Sequence, residues 1–262
     1  MPKAGITEGS HLAEGAIQPQ VIILGDDALM LAPDGALYRW GGKSTNRKTP
    51  VMIKPDLRFR KITADQNSIL AIHEDGTIWG WGKNHTLVAA DPNFAPQEAR
   101  RLFPDVGFVD ISMGNRHALA LKDDGSIWSW GNNHDGQLGT GRINESDHSS
   151  RLTSLPLTQI GLETDWADVQ ASSTVSYGLK LDGTLMRWGK LSVFKGLSSS
   201  KNSWTNIESL IEQATEYSEP HRFTDIKGRK QIIPLQYVTL LLHEDGSLWI
   251  DRPPPPPQYW LP

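Results

Sequence analysis

The sequence contains no cysteine, which removes disulfide frameworks, thiolate metal sites and cysteine nucleophiles at once. A charge imbalance is missing too. Its 26 lysine and arginine residues stand against 30 aspartate and glutamate residues, so no global basic field collects nucleic acid and no nucleic-acid partner is expected. Long apolar runs are also absent: stretches such as VIIL at 21 to 24 are strand-sized, far short of the roughly 18 residues a membrane helix needs. Membrane insertion is not expected. The opening segment MPKAGITEGSHLAEGAIQ has neither a basic stretch before an apolar core nor an Arg-rich amphipathic pattern, so a soluble, cytoplasmic protein is expected. No HExxH, Walker loop or GxSxG occurs, so no metal, cofactor or catalytic set is expected and the chain reads as a non-enzyme.

What is present is repetition. Asp-Gly between two apolar runs occurs at Asp34-Gly35, Asp75-Gly76, Asp124-Gly125, Asp182-Gly183 and Asp245-Gly246, and in the first four Trp40, Trp81, Trp130 and Trp188 follow six residues after the Asp. Leu37, Ile78, Ile127, Leu185 and Leu248 stand three residues on, and Tyr38, Trp79, Trp128, Met186 and Trp249 stand four on. Large apolar residues at consecutive positions of a strand point to opposite faces, so both faces are covered. An apolar run also precedes each Asp-Gly, and an apolar run on either side of Asp-Gly marks a β-hairpin, because Asp and Gly tolerate the positive φ of a tight turn. A third strand precedes the hairpin, marked by an aromatic residue and a β-branched one three later: Phe59 with Ile62, Phe108 with Ile111, Trp166 with Val169. In the last unit Phe223 and Ile226 form the same pair farther upstream, which implies a six-residue insertion before Asp245. Successive Asp-Gly pairs lie 41, 49, 58 and 63 residues apart, so the strands repeat while the connections lengthen. Within the last connection, SWTNIESLIEQATEYS from Ser203 to Ser218 spaces its apolar residues for one short helix.

The third unit, FVDISMGNRHALALKDDGSIWSWGNNHDGQLGTG from Phe108 to Gly141, closely resembles the repeat of the regulator of chromosome condensation family, bladed β-propellers. Gly114, His117, Asp124, Gly125, Trp130, Gly131, Asn132 and Gly136 to Gly139 carry the likeness. The other units keep Asp-Gly and the apolar skeleton but have Asp27, Ser68, Val175 and Val238 at the His117 position. The resemblance covers residues 14 to 252 and implies an all-β propeller, a role for His117 in hydrogen bonding within its blade, and usually seven blades. Five are countable here, and closure of the ring stays open. The expected organisation is an N-terminal extension at 1–13, the propeller at 14–252 and a proline-rich tail at 253–262, read as a stiff linker or a proline ligand.

Recurrent tryptophans on both faces of buried strands are what blade packing needs. The HEDG sequences at His73 and His243 sit on hairpin turns and read as turn residues rather than metal ligands. A protein partner is the expected ligand, docking on the segments between blades. Candidate contacts are Arg47, Lys48 and Arg58 in the basic loop 43 to 61, Phe194, Lys195 and Trp204 in the widening segment 190 to 222, and Arg39 and Arg187 on a rim or the axial channel. The family resemblance adds two alternatives, capping inhibition of a hydrolase and nucleotide exchange on a small GTPase. A further alternative is a propeller lyase or hydrolase using His117, His134 and Arg187.

Overall fold

The computed structural model describes residues 17–24, 26–41, 47–64, 68–83, 98–143 and 155–190, together with the backbone of strands at 217–224, 229–234, 239–243 and 248–251. These form five antiparallel meanders in chain order. The first blade is β1 (Gln20–Leu24), β2 (Asp27–Leu31), β3 (Leu37–Gly41) and β4 (Arg47–Ile53). The second is β5 (Phe59–Ala64), β6 (Ser68–His73), β7 (Ile78–Gly82) and β8 (Arg100–Arg101). The third is β9 (Phe108–Met113), β10 (His117–Lys122), β11 (Ile127–Gly131) and β12 (Leu155–Gln159). The fourth is β13 (Trp166–Ala171), β14 (Val175–Lys180), β15 (Leu185–Gly189) and β16 (Tyr217–Thr224). The fifth has three strands, β17 (Arg229–Pro234), β18 (Thr239–His243) and β19 (Leu248–Asp251). Among the described residues there is no helix. Residues 203–216 of the expected helix lie outside them, and Tyr217 and Ser218 belong to β16.

The first four of these Asp-Gly turns are each closed by their own aspartate. The Asp34, Asp75, Asp124 and Asp182 carboxylates accept the backbone N–H two residues on, at 2.8–3.0 Å. Gly35, Gly76, Gly125 and Gly183 take φ near +80°, the left-handed region that a side chain disfavours. In the second and third turns a relay extends outward. The Thr77 and Ser126 hydroxyls donate to the carboxylate and accept from the indole N–H of Trp79 and Trp128. Desolvation opposes ionisation of Asp75, but bonds from Thr77 and the neighbouring His73 outweigh it and bring the carboxyl down to about 2. The Asp124 carboxyl is likewise lowered, chiefly by Ser126.

The blades pack by one repeated rule. Three aliphatic residues on the front of one blade cover an aromatic residue, a β-branched residue and a tryptophan on the back of the next. Leu29, Leu31 and Leu37 lie against Phe59, Ile62 and Trp81. Leu70, Ile72 and Ile78 lie against Phe108, Ile111 and Trp130, and Leu119, Leu121 and Ile127 against Trp166, Val169 and Trp188. A spacing of three does not fit the period of two in a strand. The register explains it: a bulge in each first strand ejects Arg60, Val109 or Ala167 and returns the next residues to phase. First strands of successive blades approach one another, β1 to β5, β5 to β9, β9 to β13 and β13 to β17, and so form the inner edge.

Two expectations are corrected. In the last unit Arg229, paired with His243, holds the register position of Phe59 and Phe108, while Phe223 belongs to the outer strand β16. The six-residue insertion therefore does not exist; the length was added before β17. The basic loop at 43 to 61 is also no loop, since residues 47–53 form β4 and pair with β3.

Candidate functional site

Three features of the surface and the inter-blade seams carry chemistry. The first is the inner edge. Neighbouring first strands are not paired as a sheet, so their amides need other acceptors. Side chains supply them: Gln20 Oε1 accepts from Ile62 N at 2.9 Å, Thr63 Oγ1 from Met113 N at 3.3 Å and Ser112 Oγ from Ala171 N at 2.9 Å. Beside these stitches the register aligns Gln20, Lys61, Asp110, Asp168 and Gln231 in one layer. Lys61 Nζ pairs with Asp110 at 2.9 Å. Asp168 accepts from the Gln170 amide at 3.2 Å. Burial, and then the like charge of Asp110, push the Asp168 carboxyl up to about 6 against the opposing pull of Gln170 and Lys61.

An acid whose folded pKa lies above its unfolded value near 3.9 binds protons more readily when folded. Asp168 therefore lowers stability as pH rises from about 4 to about 6, and that loss persists at neutral pH. The Asp168→Asn variant, which keeps an acceptor for Gln170, is expected to be more stable than the parent at pH 7 by on the order of 1–3 kcal/mol and equal to it near pH 4. Urea unfolding at several pH values reads this directly, and a variant less stable at pH 7 would contradict it.

The second feature is a clasp between the third and fourth blades. His117 Nε2 lies 2.8 Å from Ser176 Oγ, and Ser176 gives its proton to the Gln137 carbonyl at 2.7 Å. The imidazole must therefore carry its proton on Nε2. Its Nδ1 is buried without a hydrogen-bond partner, and burial takes the ring down to about 3. The Trp188 indole donates to the same Gln137 carbonyl at 2.9 Å. His117 thus bonds across blades, to β14, rather than within its own. Being fully buried, it cannot serve the lyase or hydrolase set proposed with His134 and Arg187. The loop 136–141 reaches over the fourth blade, and Gly139 (φ +66°) leaves space for the Trp188 ring. Among the described residues no group of three His, Asp or Glu gathers as a metal site.

The third feature is the rim of Asp-Gly turns. Gly35, Gly76 and Gly125 each accept, through the carbonyl, the backbone N–H of Phe59, Phe108 and Trp166 in the following blade. Alongside, Lys180 sits over the Trp166 ring at 5.0 Å and pairs with Glu163 and Asp165 at 3.0 and 3.1 Å. Burial lowers the Lys180 pKa, but these two carboxylates outweigh it and raise the value. Leu162 and Leu181 stand beside this cluster, 92% and 74% exposed.

The anticipated contact residues are scattered. Arg39 pairs with Asp27 on the adjacent strand of its own blade. Arg58 donates to the carbonyls of Pro55 and Leu57 at 2.8 and 2.9 Å. Arg187 is on β15, opposite Tyr177 and His221. The Arg47 and Lys48 side chains, Phe194, Lys195, Trp204, Gly246 and the tail lie outside the described residues. Trp81, Trp130 and Trp188 are buried packing residues, whereas Trp40 is half-buried. Sequence reasoning passed over Asp110, Asp168, Leu162 and Leu181. A polar residue two after the repeated aromatic signalled the first pair; nothing periodic marked the leucines.

Comparison with known proteins places this geometry. Residues 108–137 and 124–177 match two models of the regulator of chromosome condensation (RCC1) repeat. No curated protein matches the chain as a relative. Among solved structures, Prp20p from Saccharomyces cerevisiae, described with its binding to Gsp1p and histones, is 18% identical with a TM-score of 0.67, covering 88% of this chain and 57% of its own. Human WBSCR16 is 16% identical with a TM-score of 0.64, covering 90% of this chain and 63% of its own. The likeness is one of fold, and the chain spans little more than half the length of either.

Proposed function

Because this chain carries regulator of chromosome condensation repeats on propeller blades, we propose that it is a non-enzymatic scaffold that binds a protein partner through the segments between its blades. The observation that carries the reading is the pair Leu162 and Leu181, exposed on one rim around a fixed charge cluster. A single exposed leucine is ordinary. Two that flank an ordered Lys180–Glu163–Asp165 cluster supply an apolar anchor inside a polar margin, the anatomy of a protein contact surface. Leu162 lies in the β12–β13 connection, the segment that joins the third blade to the fourth.

The test compares proteins captured by the immobilised parent and by the Leu162→Asp/Leu181→Asp variant. Loss of the parent's specific partner by about tenfold or more in affinity is expected, equivalent to roughly 1.4 kcal/mol. Retention of the same partner at the same affinity rules out this rim. A small GTPase is the second reading, implied by the resemblance to the regulator of chromosome condensation repeat, and it requires accelerated release of labelled nucleotide from the captured GTPase. Capping of a hydrolase requires inhibition of a captured enzyme.

A further inference from the structure

The rim of Asp-Gly turns carries its carboxylates outermost. Residues 33–34, 54–58, 73–75, 104–107, 122–124, 161–165 and 180–182, the turns and the entries to the next first strands, hold ten aspartates and glutamates against four lysines and arginines. That is a net charge of −6 in a chain of net −4, so the negative excess of the chain is gathered on this rim. The cations do not cancel it at the surface. Lys122 lies over the Phe108 and Trp128 rings at 5.0 and 4.3 Å and Lys180 over the Trp166 ring, and their side chains are only 15% and 13% exposed. Arg58 is turned onto the carbonyls of Pro55 and Leu57, and Lys54 reaches over the Trp81 ring at 5.9 Å. Asp75, Glu163 and Asp165, by contrast, are 52%, 56% and 52% exposed. Ammonium groups held down on aromatic faces beneath projecting carboxylates leave the outer layer negative.

One backbone bond locates the same position on successive turns. The Glu74, Asp123 and Leu181 amides donate to the carbonyls of Arg58, Gly107 and Asp165, the residues before Phe59, Phe108 and Trp166. Leu181 thus stands where the second and third blades carry the exposed Glu74 and Asp123. A segment following the rim from the second blade to the fourth meets carboxylates first and then the apolar pair Leu162 and Leu181, with the exposed Val106 at the entry to the third blade. We propose that the occupant of this rim is a basic protein segment, with apolar side chains seated on Leu162 and Leu181 and lysine or arginine side chains reaching the carboxylates along the turns. This rests on the reading of the rim as a protein contact surface and adds the chemistry of what it takes. Charge complementarity selects the occupant: an acidic segment or a phosphate backbone brings like charge to the same surface and is repelled.

Two labelled peptides, KKLKKLKK and its counterpart EELEELEE, are titrated with the intact chain and followed by fluorescence anisotropy. The lysine peptide is expected to bind about tenfold or more tightly than the glutamate peptide, and to weaken by about tenfold or more between about 0.05 M and about 0.5 M salt as screening shortens the reach of the field. Glu74→Lys/Asp123→Lys, which alters neither a turn-closing aspartate nor the Lys180 cluster, is expected to weaken the lysine peptide by about tenfold or more, and Leu162→Ser/Leu181→Ser, which leaves the charge unaltered, to do the same. Equal affinity of the parent for the two peptides overturns the proposal and needs no variant to fold. An unchanged affinity in a Glu74→Lys/Asp123→Lys variant whose circular dichroism is that of the parent overturns it too. So does an unchanged affinity in Leu162→Ser/Leu181→Ser, which marks diffuse attraction to the negative charge of the chain. The capture experiment decides separately on the rim: a partner lost with Leu162→Asp/Leu181→Asp but held equally well by Glu74→Lys/Asp123→Lys keeps the rim as a contact surface and overturns its basic ligand.

Discussion

Gly125→Ala is expected to destabilise the chain by several kcal/mol, far more than alanine does at the equivalent turn glycines Gly35 and Gly76. A Cβ at Gly125 falls 2.1 Å from the Thr164 carbonyl oxygen and 2.8 Å from its carbon, and both are backbone atoms that cannot rotate away. The residue also holds φ +79°, worth about 1 kcal/mol or more against alanine. Relief of the clash means moving the entry to β13, and that movement breaks the bond from Trp166 N to the Gly125 carbonyl at 3.2 Å. Equivalent turns are looser, with nearest approaches of 3.0 Å at Gly35 and Gly76. Gly161 (φ +63°) has nothing within 4 Å of the added carbon and is the control, expected to lose only about 1 kcal/mol. Calorimetric melting of the four alanine variants should rank Gly125 worst and Gly161 mildest. Equal losses at these two sites would refute the account of the junction.

Trp188→Ala is expected to cost about 3–5 kcal/mol, the range for emptying a large buried aromatic site. The indole is fully buried, meets Trp166 edge-on at 6.3 Å between ring centres and holds the Gln137 carbonyl. Its removal opens the back of the fourth blade and takes one of two donors from the loop that caps it. Trp188→Phe keeps much of the volume and leaves the Gln137 carbonyl bonded to Ser176, so a loss nearer 1–2 kcal/mol is expected. Denaturant unfolding separates the two contributions. An alanine variant no worse than the phenylalanine variant would show that the ring's packing is not what joins the blades.

The strands and turns were legible because each has a local cause. An aspartate that caps its own turn, a glycine at positive φ and apolar residues on both faces leave traces in the sequence itself. Contacts across blades left weaker traces. His117 and Ser176 are 59 residues apart in sequence, and only the likeness to a known repeat pointed to the histidine. The Phe223 and Ile226 pair misled because an aromatic and a β-branched residue at the right spacing occur there by chance: Phe223 belongs to the outer strand β16, whereas the inner-strand position is filled by Arg229. The surface was least legible, since exposure of Leu162 and Leu181 depends on what fails to cover them.

The bonds from the Gly35, Gly76 and Gly125 turns to the heads of the next first strands fix where those blades begin, whatever the chain did beforehand. The relative angle of adjacent blades is thereby decoupled from the length of chain joining them, which explains how intervals of 41, 49 and 58 residues serve one geometry. The added length lies between the third and outer strands of each four-stranded blade, and these connections act as ports: a foreign domain or epitope spliced there would ride on the scaffold without bending it.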